Sequence, residues 1–221
     1  MNIGIIGAGN IGSALAYRLV DLGHQVVISN SRGPETLGDV VADTGASAVS
    51  ARDAALGRDL VIVTIPQCRV PELPDDLFEG VPDDVVVVDT NNYYPRNRDG
   101  RIDGIEDGMT ESRWVAEQVG RPGIVKAFNN IHAARLRDRG RPKGDPERLA
   151  LPYAGDDAHA KQAVAALIDA LGFDPVDAGS LDDSWRQQPD TPCYGAELTE
   201  NDLRAAIAAA PRVRPANFRA E

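Results

Sequence analysis

Residues 2–12 read Asn2-Ile3-Gly4-Ile5-Ile6-Gly7-Ala8-Gly9-Asn10-Ile11-Gly12. A short apolar run enters three glycines at the spacing GxGxxG, and a helical pattern follows at once. Ile11, Leu15, Leu19 and Leu22 recur at helical spacing, and Gly23 is placed to stop the helix. Residues 25–29 (QVVIS) then read as a second strand. A GxGxxG alone is a weak signal; between a strand and a helix inside a βαβ unit it marks a dinucleotide site. Gly7 allows the tight turn, Gly9 lets the backbone approach a pyrophosphate, and Gly12 lets the helix pack close to the sheet. Free N–H groups at the helix start face the phosphates.

Working outward, residues 60–64 (LVIVT) and 85–89 (VVVVD) are continuous apolar strands, the pattern of parallel strands covered on both faces. Residues 34–43 read as a helix with Pro34 in its first turn. Beyond Asp89 the pattern predicts a loop over 93–109, a helix over 111–119 capped by Thr110, and a strand over 124–128. A charged loop follows over 135–148, then a strand over 149–154 and a helix over 157–171 capped by Asp156. A strand over 173–177, an irregular stretch over 180–195 and a helix over 199–210 complete the chain. The expected fold is α/β: a Rossmann-type, doubly wound parallel sheet with a short α/β C-terminal extension. The expected division is a nucleotide-binding domain over 1–155 and an extension over 156–221, packed on the same domain.

The end of the second strand chooses the nucleotide. An NAD site places Asp or Glu there for the ribose 2′-OH; this chain has Asn30-Ser31-Arg32. A carboxylate would repel a 2′-phosphate, whereas Arg32 attracts it and Ser31 adds a hydroxyl donor. The expected cofactor is therefore NADP(H). Ligands of such sheets lie beyond the carboxyl ends of the strands. Those positions are Thr64-Ile65-Pro66, Asn91-Asn92 and Asn129-Asn130-Ile131-His132-Ala133. Thr64, Ile65 and Pro66 read either as a nicotinamide floor or as an ordinary turn. His132 reads either as a general acid for carbonyl reduction or as a loop histidine near the cofactor.

With 34 Asp+Glu against 23 Lys+Arg, the chain carries a formal net charge of -11, which argues against nucleic acid as a partner. Cys68 and Cys193 form no zinc or disulfide pattern. No leader and no membrane-spanning run is read, so a cytoplasmic protein with no metal site and no membrane partner is expected. Residues 135–148 hold six basic and three acidic side chains. They read as a solvated loop or as a grip on a polyanionic acceptor. Trp185 with Arg186 reads as an acceptor-stacking element or as an anchor for the tail.

GAGNIG over 7–12, the Ser31-Arg32 pair, TIP over 64–66, VKAFNNIHA over 125–133, AGDD over 154–157 and DAG over 177–179 occur here in one order. That order resembles the F420-dependent NADP oxidoreductase family and the reductase domain of the STEAP metalloreductases, over about residues 1–180. The resemblance implies hydride transfer between NADPH and a deazaflavin (coenzyme F420) or flavin acceptor. By that resemblance Ala8, Gly9, Asn10 and Ile11 hold the pyrophosphate, and Ser31 and Arg32 hold the 2′-phosphate. Thr64, Ile65, Pro66 and Ala133 border the nicotinamide, Asn129 and Ile131 border the acceptor, and a homodimer is implied. Archaeal members tend to carry histidine where this chain has Asn129, and their C-terminal end is more apolar; both departures bear on the acceptor. No residue is singled out as catalytic; Asn129, Asn130, Ile131 and His132 are the acceptor-side candidates. Two alternatives stay open: an NADPH-dependent reductase of a small carbonyl or imine, and a non-catalytic NADP-sensing module.

Overall fold

The computed structural model describes residues 1–220. The first unit is β1 (Asn2–Ile6), α1 (Asn10–Asp21) and β2 (Gln25–Ser29), with β1 and β2 parallel and in register from Asn2 opposite Gln25 to Ile6 opposite Ser29. The expected helix over 34–43 is divided: a 3-10 turn, Pro34–Thr36, precedes α2 (Gly38–Thr44), with Leu37 buried between them. A two-residue strand β3 (Ser47–Ala48) and a short α3 (Ala51–Ala55) come next; Ser50 caps α3 by accepting from the Asp53 N–H.

β4 (Leu60–Val63) and β5 (Val86–Asp89) are buried along their whole length. In β4, Leu60 and Ile62 join the core on the α1 side of the sheet, while Val61 and Val63 join the core on the opposite side. Both faces are therefore covered, as continuous apolar runs require. α4 (Asp103–Glu106) lies inside the expected loop, and α5 (Glu111–Val119) is capped by Thr110, which accepts from Arg113 N. β6 (Ile124–Ala127), α6 (Ala133–Asp138), β7 (Ala150–Gly155), α7 (Ala158–Ala170), β8 (Asp174–Asp177) and α8 (Glu200–Ala209) follow. The sheet has eight strands in the order β3-β2-β1-β4-β5-β6-β7-β8. It is a Rossmann-like α/β fold. On one face Leu15, Leu19, Val164 and Ile168 pack on the strands. Burying each such side chain contributes about 1.5–3 kcal/mol. α8 closes a third apolar cluster over β7 and β8 through Leu203 and Ile207.

Three expectations are corrected. The sheet is not parallel throughout: β7 runs antiparallel to β6, and β8 is parallel to β7. A parallel crossover needs a connection that carries the chain back across the sheet. The connection over 128–149 is long enough for a crossover, but it stays at the end of the sheet where β6 finishes: α6 lies there, and Arg141 N donates to the Gly172 carbonyl just before β8, so β7 starts from that same end. Second, residues 133–138 are helical, so the charged stretch over 135–148 is a loop only after α6. Third, the cap of α7 is Asp157, which accepts from Ala160 N at 2.7 Å; Asp156 instead accepts from Leu181 N and pairs with Arg113.

Candidate functional site

The carboxyl ends of β1, β4, β5 and β6 open into one cleft of about 440 Å³. Gly9, Asn10 and Ile11 line it beyond β1, and Thr64, Ile65 and Pro66 beyond β4. Thr90, Asn91, Asn92 and Tyr94 line it beyond β5, and Phe128, Asn129, Ile131, His132 and Ala133 beyond β6. Adjacent strands lie about 4.8 Å apart, so β1 to β6 spans roughly 14 Å, enough for an extended dinucleotide half.

Two of the three glycines are required by close packing, and the third borders open space. Gly7 has φ +118°, and a Cβ there would lie 2.0 Å from the carbonyl oxygen of Thr64; a Cβ on Gly12 would lie 2.0 Å from the carbonyl oxygen of Gly7. A Cβ on Gly9 would meet nothing within 4 Å, because Gly9 faces the cleft. Gly9 is also the N-cap of α1, where no side chain caps the helix and no acidic residue stands in the first turn. The N–H groups there are left for an anion, which the positive end of the helix dipole favours.

Beyond β2, Asn30 braces the following turn: its Oδ1 accepts from Arg32 N at 3.0 Å and its Nδ2 donates to Thr36 Oγ1 at 2.9 Å. Ser31 and Arg32 are exposed, and the Arg32 guanidinium has no partner among the described residues. A buried network fixes the floor. Asp89 and Lys126, both 0% exposed, face each other across β5 and β6 at 3.2 Å. Asp89 accepts from Ser112 Oγ at 2.5 Å and from Asn91 N at 2.9 Å, and Lys126 Nζ also donates to the Asn91 carbonyl. Asn91 Oδ1 accepts from Ile65 N at 2.9 Å, which locks β4's exit to β5's. Asn91 Nδ2 is buried without a partner. Glu111, fully buried, is paired with Arg214 at 2.9 Å. Burial raises its carboxyl above the ordinary range, against the pull of Arg214 and Lys126.

The far wall comes from distant segments. Asn129 Nδ2 donates to the Gln187 carbonyl at 2.6 Å and to Asn92 Oδ1 at 3.0 Å, and its Oδ1 accepts from Gln187 Nε2 at 2.9 Å. Arg98 is held by Asp99 at 2.9 Å and lies 4.9 Å above the Tyr94 ring. The Tyr94 hydroxyl bonds the hydroxyl of Tyr194. Burial, and then the Tyr94 hydroxyl, hold the Tyr194 phenol above its ordinary value.

The structure thus gathers Gly9, Asn10, Ile11, Thr64, Ile65, Pro66, Asn91, Asn129, Ile131, His132 and Ala133 in one cleft. Gly7 and Ala8 form the turn beneath it, and Asn30, Ser31 and Arg32 stand on the neighbouring strand end, since Gly7 N donates to the Ser29 carbonyl. Asn130 is turned away from the cleft: its Nδ2 faces the Cys193 carbonyl at 3.4 Å and its carbonyl accepts from Gly195 N. His132 is exposed at the N-cap of α6. The basic stretch is largely neutralised within the protein. Arg137 pairs with Asp43, Arg135 with Glu197, Arg141 with Asp145 and Glu147, and Arg148 with Asp169 and Asp174. Trp185 lines a separate cavity of about 300 Å³ under the C-terminal tail, with Arg186 over its ring at 4.4 Å. Tyr94, Arg98 and Tyr194 were not legible as site residues. The opposite charges of Asp89 and Lys126, in otherwise apolar strands, were a readable sign of the buried pair.

A family model described as NADP oxidoreductase, coenzyme F420-dependent, matches residues 2–93. The chain is 35% identical to a hypothetical protein of Sinorhizobium meliloti of known crystal structure, covering 90% of this chain and 96% of that one with a TM-score of 0.75. It shares its fold with a protein of Arthrobacter sp. FB24 described as an F420-dependent NADP-reductase, at 24% identity over 81% of this chain and 85% of that one, TM-score 0.66. It is 28% identical over 181 residues to metalloreductase STEAP3 of Rattus norvegicus, 81% of this chain and 34% of that protein. A stretch of 53 residues, 24% of this chain, is 51% identical to protein YjhV of Escherichia coli strain K12, where it makes up 39% of the length. The chain therefore spans little more than a third of either curated relative. No helix among the described residues is long and apolar enough to cross a membrane.

Proposed function

We propose that the chain is a member of the coenzyme F420-dependent NADP oxidoreductase family, whose model matches residues 2–93, and that it transfers hydride between NADPH and a deazaflavin or flavin ring. The observation that carries this reading is the single cleft running from the uncapped N-terminus of α1 at Gly9 to the wall of Asn92, Asn129, Tyr94 and Tyr194. The donor set fits NADPH: α1's N–H groups for the pyrophosphate, Ser31 and Arg32 for the 2′-phosphate, and Asn91 Nδ2 as a buried donor lacking an acceptor.

Bound NADPH supplies the hydride. The residues then have four tasks. Gly9, Asn10 and Ile11 hold the phosphates. Ile65 and Pro66 form one side of the nicotinamide slot, with Asn91 fixing Ile65 through its N–H. Asn129 and Ile131 present a polar and an apolar surface to the acceptor. The amide ladder Asn92–Asn129–Gln187 keeps that wall rigid. Ring-to-ring hydride transfer asks for near-attack placement rather than for an obligatory protein acid or base, which suits a cleft whose described lining holds no carboxylate and, besides Arg98 and His132, is made of amide, hydroxyl and apolar groups.

NADPH consumption followed by absorbance, with F420, free flavins and a panel of small carbonyls and imines as acceptors, tests the reading. Turnover with F420 or a flavin is expected. Turnover confined to carbonyls or imines, or tight NADPH binding with no acceptor reduced, overturns it.

A further inference from the structure

We propose that the Tyr94–Tyr194 hydroxyl pair is the hydrogen-bond donor of the acceptor half of the cleft, presented to a carbonyl oxygen or ring nitrogen of the bound acceptor. This rests on the hydride-transfer reading above and adds to it a contact that the neighbouring amides cannot make, because Asn92, Asn129 and Gln187 are bonded to one another.

Both tyrosines line the cleft. Tyr94 stands five residues beyond β5; Tyr194 arrives from the segment after β8, held to β6's exit by Gly195 N donating to the Asn130 carbonyl. Two phenols bring two O–H donors. One is used between the two oxygens. The other contact at the pair, Asn92 Nδ2 to Tyr194 Oη at 3.5 Å, is accepted and not donated. One O–H is therefore left with no acceptor among the described residues. Donors linked in one direction reinforce one another, so the favoured chain is Asn92 to Tyr194 to Tyr94, ending on a Tyr94 O–H that faces the cleft. The Tyr94 ring is held on two sides, by Arg98 at 4.9 Å and by Phe218 of the C-terminal tail at 6.3 Å. Burial and the partner hydroxyl keep Tyr194 protonated well beyond neutral pH. When hydride reaches a conjugated ring carbon or a carbonyl carbon, negative charge develops on the attached heteroatom. A fixed donor at that atom gains strength in the transition state. Tyr94 is then the group that touches the acceptor, and Tyr194 is a positioning residue.

The test is steady-state NADPH oxidation with F420 and with FMN by the wild type, Tyr94→Phe, Tyr194→Phe and the double variant, with NADPH Kd from fluorescence titration and thermal melts for each. Tyr94→Phe keeps the ring against Phe218 and Arg98 and removes one oxygen. Its kcat is expected to fall about 10- to 100-fold, with NADPH Kd unchanged. Tyr194→Phe is expected to lose less, and the double variant no more than Tyr94→Phe, because the two act as one unit. Wild-type kcat in Tyr94→Phe, or losses that multiply in the double variant, overturns the proposal while the hydride-transfer reading stands. If Tyr94→Phe melts early, Tyr194→Phe carries the kcat comparison. A wild type that binds NADPH and reduces neither acceptor overturns the reading and the pair's role with it.

Discussion

Replacing Gly9 by alanine separates the stability of the phosphate turn from its ligand. The Gly9 backbone, φ -80° and ψ -169°, is open to any L-residue, and its Cβ would meet nothing within 4 Å. Alanine is a poorer N-cap than glycine, but it also restricts the unfolded chain; these opposing effects leave a net change within about 1 kcal/mol. The same methyl occupies the space through which a pyrophosphate reaches the N–H groups of α1. Each charge-assisted hydrogen bond lost there costs about 1.5–3 kcal/mol, so even one raises Kd about tenfold or more. Gly12→Ala is the contrast. Its Cβ would lie 2.0 Å from the Gly7 carbonyl oxygen and 2.9 Å from Thr64 Cγ2, and such overpacking costs about 1–3 kcal/mol or more. The assay is a thermal melt of each apo variant beside NADPH titration by fluorescence. Gly9→Ala should melt with the wild type and bind NADPH at least tenfold more weakly. Wild-type affinity in Gly9→Ala would refute the placement of the pyrophosphate.

Three further outcomes are expected. Arg32→Ala should narrow the ratio of kcat/KM for NADPH over NADH by about tenfold or more with NADH itself little affected; an unchanged ratio removes Arg32 from the 2′-phosphate site. Lys126→Met should destabilise by about 3–5 kcal/mol, since it strands Asp89 as a buried charge; a urea midpoint equal to the wild type's contradicts this. Ser180 caps the turn Leu181–Gln187, and Asp183, its third residue, closes the capping box; the hydroxyl and then the N–H of Ser180 hold the Asp183 carboxyl below the ordinary value of 3.8. Its stabilisation is thus present above that value and lost as pH falls through the lowered one. Asp183→Asn should cost roughly 0.5–2 kcal/mol at neutral pH, and urea titrations should find the gap to wild type closing in acid; a gap that widens in acid reverses the sign of this reasoning.

The β1–α1–β2 unit and its glycine turn were readable because each of their requirements is local. Gly7, Gly9 and Gly12 lie within one turn, and the strand and helix patterns around them repeat at their own periods. The direction of β7 was not readable from its apolar pattern, because direction is set by the path of the connection over 128–149, which is long enough for either outcome. The small α3 carried an overlooked signal, Ser50 followed three residues later by Asp53. The acceptor wall was illegible for another reason. Tyr94 and Tyr194 stand 100 residues apart, and nothing in either neighbourhood marks a tyrosine as a site residue until the sheet brings both to the β5–β6 edge. Asn130 shows the opposite error. It sits beside a lining residue in sequence, but the backbone at Phe128, with φ +59°, turns sharply there, and Asn130 bonds the tail segment.

The return of the chain from β8 to the cleft also orders the site in time. Gly9, Arg32 and Pro66 have all been synthesised once residue 66 is made, together with β1, β2 and β4. Tyr194 follows roughly 130 residues later, which at about 5–20 residues per second is roughly 6–26 s of translation. A nascent chain therefore holds the glycine turn of β1 and α1 well before the tyrosine that closes the far side of the cleft.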